Sequence, residues 1–233
     1  MQSASYQTRR QELETYFDRT AAEAWARLTS SAPVSGIRAT VRAGRDGMRA
    51  TLLSWLPEDM KGLRLLDAGC GTGALAMEAA ARGAEVVAVD ISPTLVDLAR
   101  ERAAERLPGA KITFLAGDML NPELGHFDHV VAMDSLIHYR AGDMTAMLAR
   151  LAERTRGSLV FTFAPRTPAL TVMHTVGRAF PRGNRAPAIE PIAETKLRSL
   201  IGASPELAGW RCARNHRITT GFYMSHAEEL LPR

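Results

Sequence analysis

Leu63-Arg64-Leu65-Leu66-Asp67-Ala68-Gly69-Cys70-Gly71-Thr72-Gly73 decides the fold. It opens as an apolar run too short for a helix and bounded by turn residues, which predicts a buried strand closed by Asp67. Gly69, Gly71 and Gly73 then alternate with other residues, and Ala74 to Arg82 reads as a helix. Glycines so spaced allow a tight turn and a close approach of backbone to a ligand. That ligand would lie against the first N–H groups of the helix. A bare strand-to-helix turn has the same local pattern. Asp67 weighs against it, since a carboxylate two residues before the first glycine can receive an ammonium group. Dinucleotide fingerprints read G-x-G-x-x-G; here the spacing is G-x-G-x-G with an acid ahead of it.

Downstream, Glu85 to Asp90 predicts a second strand. Asp90 closes it about 20 residues past the glycines, where an acid can accept both ribose hydroxyls. Its alternative task, capping the next helix, already suits Ser92, followed by Pro93. Lys111–Leu115 is a third strand, followed by Gly117, Asp118 and Met119. An acid with an apolar neighbour there would grip an adenine by its amine and its face. Phe127–Met133 is a fourth strand, leading into Asp134-Ser135-Leu136-Ile137-His138-Tyr139. Asp143–Arg154 reads as a helix and Ser158–Ala164 as a fifth strand. Apolar strands alternating with helices predict a parallel sheet with right-handed crossovers. Trp210–His216 and Gly221–Ser225 read as a closing antiparallel pair, with Glu228, Glu229 and the tail carrying no signal.

Upstream, residues 3–29 and Thr40–Leu56 read as amphipathic helices. Arg38, Arg42, Arg45 and Arg49 follow one another along the second. Most read as solvated charge, with one or two meeting a carboxylate. Between the fifth strand and the closing pair, residues 166–200 break the pattern. Six basic side chains there, among them Arg166, Arg182 and Arg185, stand against two acidic ones, an excess equal to the net +4 of the whole chain. The segment reads either as a solvated basic loop or as a cover that attracts anionic groups.

Bulk properties set limits. The 233 residues, 46% hydrophobic and 23% charged, suit one α/β domain with additions. No apolar run reaches the ~18 residues of a membrane span. Cys70 and Cys212 give neither a disulfide framework nor metal spacing, so no metal is expected and a reducing cytoplasm is the simplest setting. The mild charge does not demand nucleic acid. No Pro-Pro-Tyr or Pro-Cys string, as used on nucleic-acid bases, follows the fourth strand.

The Asp67-Ala-Gly-Cys-Gly-Thr-Gly string resembles motif I of the class I S-adenosylmethionine-dependent methyltransferases. Several strings together resemble the magnesium-protoporphyrin IX O-methyltransferase family. They are Tyr16-Phe17 with Trp25, Gly44-Arg45, the Asp67 string, Asp90-Ile-Ser, Met133-Asp-Ser-Leu-Ile-His-Tyr, Phe163-Ala-Pro-Arg-Thr, Gly177 with Phe180-Pro181, and Phe222-Tyr223. The resemblance implies a Rossmann-like fold, a seven-stranded mostly parallel sheet with helices on both faces and an antiparallel terminal pair. It divides the chain into a helical arm or lid (1–60), a cofactor-binding core (61–165), a substrate-covering insertion (166–204) and a terminal strand pair (205–233). It implies S-adenosylmethionine as co-substrate, held by Asp67, Gly69, Gly71, Gly73, Asp90, Ile91, Asp118, Met119 and Asp134. His138 would be catalytic. Tyr16, Tyr139, Arg166, Arg182 and Arg185 would meet the porphyrin, one propionate of which becomes the methyl ester in chlorophyll or bacteriochlorophyll synthesis. Magnesium chelatase and the photosynthetic membrane are implied partners. A tyrosine that oxygenic relatives use in catalysis is Thr29 here. Open alternatives are a methyltransferase for another small molecule, such as a quinone precursor, and a non-catalytic porphyrin-binding protein of the same fold.

Overall fold

The computed structural model describes residues 3–19, 25, 27–29, 36–166 and 188–233. Seven strands form one sheet: β1 (Arg64–Ala68), β2 (Glu85–Asp90), β3 (Ile112–Ala116), β4 (Phe127–Ala132), β5 (Thr155–Phe163), β6 (Trp210–Thr220) and β7 (Tyr223–Pro232). Their order is β3-β2-β1-β4-β5-β7-β6. β1 to β5 are parallel, and β7 runs antiparallel to both its neighbours. The described helices are α1 (Ala4–Arg19), α2 (Ile37–Ser54), α3 (Ala74–Ala81), α4 (Pro93–Arg106), α5 (Ala141–Ala152) and α6 (Glu194–Ala203).

Strand periodicity divides the core into two layers. Leu66, Val130 and Phe161 pack on one face with α1, α5 and α6. Their chain neighbours Leu65, Val131 and Val160 pack on the other with α2, α3 and α4. Because both faces are covered, the central strands read as near-continuous apolar runs. α4 starts as its sequence dictates: Ser92 Oγ accepts from Leu95 N at 3.3 Å, with Pro93 in the first turn. Among the described residues, no helix is long and apolar enough to cross a membrane.

The terminal pair departs from expectation. β6 extends to Thr220, and β7, expected to end near Ser225, runs to Pro232 between β5 and β6. Glu228 and Glu229, read as uninformative, are 1% and 0% exposed. Each is neutralised from outside its own strand or across the hairpin: Arg198 on α6 reaches Glu228 at 3.0 Å and Arg214 on β6 reaches Glu229 at 2.5 Å. A polar strand is stable in a covered sheet only because these cations accompany it. The expected 166–204 insertion returns to the core at its end, where Pro165 bridges Ile192 and α6 buries Leu197 and Ile201. Arg182 and Arg185 lie outside the described residues.

Candidate active site

Strand order reverses between β1 and β4, and the loops leaving their carboxyl ends part there to leave a crevice. Gly69 follows β1 with φ 92°, and any side chain on it would collide with Ser135. Ser135 Oγ in turn donates to Ala68 O at 2.7 Å, tying the two loops together. Gly71 N donates to Asp90 Oδ2 at 2.8 Å, and Ser92 N donates to Oδ1 at 3.0 Å. Asp90 therefore anchors the glycine loop at the rim where a ribose was expected. Ile91 and Met119 line the same rim.

Asp67 is 2% exposed, and its Oδ2 has no hydrogen-bond partner. Burial, then the nearby Asp90 charge, pushes its carboxyl up to about 7. A buried acid with one unsatisfied oxygen lacks a cation, and the ammonium of an amino-acid moiety supplies one. The donor set thus fits S-adenosylmethionine: an unsatisfied acid for the ammonium, a loop of N–H groups, and a rim acid for the ribose. Asp67, Gly69 and Cys70 border a cavity of ≈ 360 Å³ together with Arg42 and Arg45. Thr29, at the position of the oxygenic tyrosine, borders it too; its Oγ1 accepts from Arg102 at 2.9 Å.

A second cavity of ≈ 80 Å³ lies between Gly69, Asp90, Met119 and α1. Here the structure shows residues the sequence did not. Tyr6 on α1 is 4% exposed and donates its hydroxyl to Asp118 Oδ1 at 2.7 Å. Leu120 N donates to the same oxygen at 2.8 Å. Tyr6 also stacks on Tyr139 with ring centroids 5.3 Å apart. Tyr139, expected on the substrate side, is 2% exposed and lines this cavity instead. A contact between residue 6 and residue 118 leaves no local sequence trace.

A third, largely apolar cavity of ≈ 270 Å³ is walled by Tyr16, Phe17, Trp25, Ile137, Ile189 and Phe222. It meets the second along Phe17, Trp25, Arg45, Asp134 and His138, which line both. His138 ends a short 3-10 turn after β4 and is 9% exposed. Burial pushes its imidazole down to about 4, so it is neutral at pH 7. Its Nδ1 lies 3.4 Å from Ala188 O, and Phe17 meets the ring edge-on at 5.7 Å. Arg166 is exposed and lines none of the three cavities.

Asp134, expected among the cofactor residues, lines the cofactor-side cavity and is also held by four side chains. It is the one non-glycine residue with positive φ (54°) among those described. Its carboxylate takes hydrogen bonds from Arg45 Nη1 (2.6 Å), Tyr223 OH (3.1 Å), Ser225 Oγ (3.2 Å) and Thr162 Oγ1 (3.2 Å). Asp134 thereby joins α2, β5 and β7 at the site. Gly44 lets α2 come close enough, since a methyl there would strike the Tyr223 ring.

Residues 65–157 match a family described as a methyltransferase domain, and residues 132–232 match one described as the magnesium-protoporphyrin IX methyltransferase C-terminus. The magnesium-protoporphyrin O-methyltransferase of Rhodobacter capsulatus is 49% identical over 98% of this chain and 99% of its own length. That of Synechocystis is 32% identical over 92% of each. A crystal structure of magnesium protoporphyrin IX methyltransferase from Synechocystis with bound SAH superposes with a TM-score of 0.84 at 30% identity, covering 96% of this chain and 99% of that one. With a full-length relative at nearly half identity and the same seven-stranded architecture, the chain belongs to the magnesium-protoporphyrin O-methyltransferase family.

Proposed function

We propose that the chain transfers a methyl group from S-adenosylmethionine to a propionate carboxylate of magnesium-protoporphyrin IX, giving the monomethyl ester in chlorophyll or bacteriochlorophyll synthesis. The observation that carries this reading is the junction of two unlike cavities at His138. One borders the glycine loop and Asp90; the other has aromatic and aliphatic walls suited to a macrocycle. When bound, S-adenosylmethionine supplies a methyl on a cationic sulfur, which a propionate oxygen takes as the carbon–sulfur bond breaks and its electron pair stays on sulfur. Asp67, the glycine loop, Asp90 and Asp118 would hold that co-substrate.

A propionic acid ionises near the glutamate value of about 4.3, so it arrives as an anion and needs no general base. The protein's work is alignment and exclusion of water. Phe17, Trp25 and α1 exclude water from the junction. His138 orients the carboxylate through Nε2–H, which requires the neutral ring to give up the long 3.4 Å contact to Ala188 O that a proton on Nδ1 would make. The arm (1–60) would act as lid and 166–204 as cover, with Arg166, Arg182 and Arg185 drawing in the propionates. Phe222 and Ile37, 54% and 56% exposed, would seat the molecule on a membrane surface, which vesicle flotation of F222S/I37S tests. A chelatase porphyrin-binding subunit is the proposed donor of substrate.

The test is mass spectrometry of magnesium-protoporphyrin IX incubated with protein and S-adenosylmethionine. One added methyl supports the reading. No added methyl, with methylation of a quinone precursor instead, would replace it.

A further inference from the structure

We propose that Arg45 is the residue that grips the reacting propionate, presenting a preformed guanidinium fork at the junction of the cofactor-side and apolar cavities. The inference rests on the reaction proposed above and names the group that recognises its nucleophile.

Arg45 borders all three cavities around the site. Among the described residues it is the only lysine or arginine lining either the cofactor-side cavity or the apolar one. The reacting carboxylate must sit where these two meet. A carboxylate entering a half-buried apolar site is costly without a donor or a cation, and Arg45 offers both there.

Its geometry suits the task. Asp134 holds Nη1 at 2.6 Å, and the guanidinium lies over the Trp25 ring at 4.7 Å from the centroid. One contact fixes the direction of the group and the other its plane. No hydrogen bond within the described residues uses Nε or Nη2. That edge is the pair of parallel donors a carboxylate accepts in bidentate fashion. Asp134 has a second effect. An unaccompanied guanidinium would stabilise the propionate anion over the neutral ester and so oppose its methylation. Paired with Asp134, Arg45 adds no net charge, so sulfonium and propionate can cancel one another during transfer without leaving an unbalanced charge behind. The other three donors to Asp134, from β5 and β7, then have a purpose: they hold the carboxylate that aims the fork.

The experiment measures porphyrin and S-adenosylmethionine binding separately, by fluorescence quenching and calorimetry, for wild type, R45Q and R45K. Melting curves confirm that each variant is folded. R45Q should weaken magnesium-protoporphyrin IX binding about tenfold or more, the size expected for losing one charged hydrogen-bonded contact. Its affinity for S-adenosylmethionine should change less than threefold. R45K, which keeps the charge and loses the fork, should fall between. The magnesium porphyrin with both propionates already esterified should bind R45Q and wild type alike. Equal porphyrin affinities for R45Q and wild type, or a loss confined to S-adenosylmethionine, would overturn the assignment; the latter would place Arg45 on the co-substrate's own carboxylate. Failure of the reaction itself is a separate result, read from wild type in the mass-spectrometric assay.

Discussion

The molecule buries acids in two places and treats them in opposite ways. In the antiparallel part, Glu228 and Glu229 are almost fully enclosed, and each meets a guanidinium. At the carboxyl edge of β1, Asp67 is as deeply enclosed, yet its Oδ2 has no partner. The same chain therefore satisfies the buried charges of its scaffold and leaves Asp67 with an oxygen that the proposed ammonium would satisfy. Burying a charge is expensive unless it is paired. An unpaired acid beside a glycine loop is stability withheld for binding, and a paired one is scaffold.

The comparison breaks most sharply at Arg214. Arg214→Ala would leave Glu229 enclosed without its cation, and should destabilise the fold by about 3 kcal/mol in a denaturant titration, the low end of the usual range because Arg214 is itself half exposed. Co-substrate affinity of the folded fraction should stay at the wild-type level. An undisturbed unfolding midpoint would mean the pair is not structural.

At the site the signs reverse. Asp90→Ala should weaken S-adenosylmethionine by about 100-fold, the loss of charged hydrogen bonds worth ~1.5–3 kcal/mol each, with binding measured on the folded protein because Gly71 and Ser92 also lose their acceptor. Identical binding isotherms would remove Asp90 from the ribose site.

Asp67 sharpens the contrast through pH. Its carboxyl lies up near 7 in the free chain, so below that pH a proton must leave before an ammonium binds. Affinity should rise about tenfold per pH unit on approaching 7 and level off above it. Asp67→Asn should bind weakly with no such slope; a wild-type profile that is flat from pH 5.5 to 8 contradicts the assignment.

His138 adds a pH effect on stability rather than on binding. Its folded value, near 4, lies below the unfolded value of ~6.5. The unfolded chain therefore takes up the proton first, and stability declines as pH falls from about 6.5 to about 4, by roughly 3 kcal/mol, then becomes constant with respect to this group. His138→Gln should flatten that decline. It should also lower turnover at saturating porphyrin, and wild-type turnover would remove the orienting role.

Local sequence determined the order of elements and the cofactor edge. Strand β2 spans, and helix α4 begins at, the residues their patterns indicate, because apolar runs and a Ser-Pro cap act over a few residues. The positions of Asp67 and the glycines in one βα turn, and of Asp90 at the end of the next strand, were legible for the same reason. Beyond that range the sequence was silent. Glu228 and Glu229 read as a polar tail because nothing near them shows that Arg198 and Arg214 will arrive. The place of Asp134 after β4 was legible, but not its four donors, which come from residues 45, 162, 223 and 225. Tyr6 on Asp118 and Arg45 between two cavities were decided only when the arm folded back across the sheet edge. Hydrophobic periodicity specifies which face of an element is buried; which charge meets which depends on residues from 15 to 112 positions apart, and only tertiary packing brings those together.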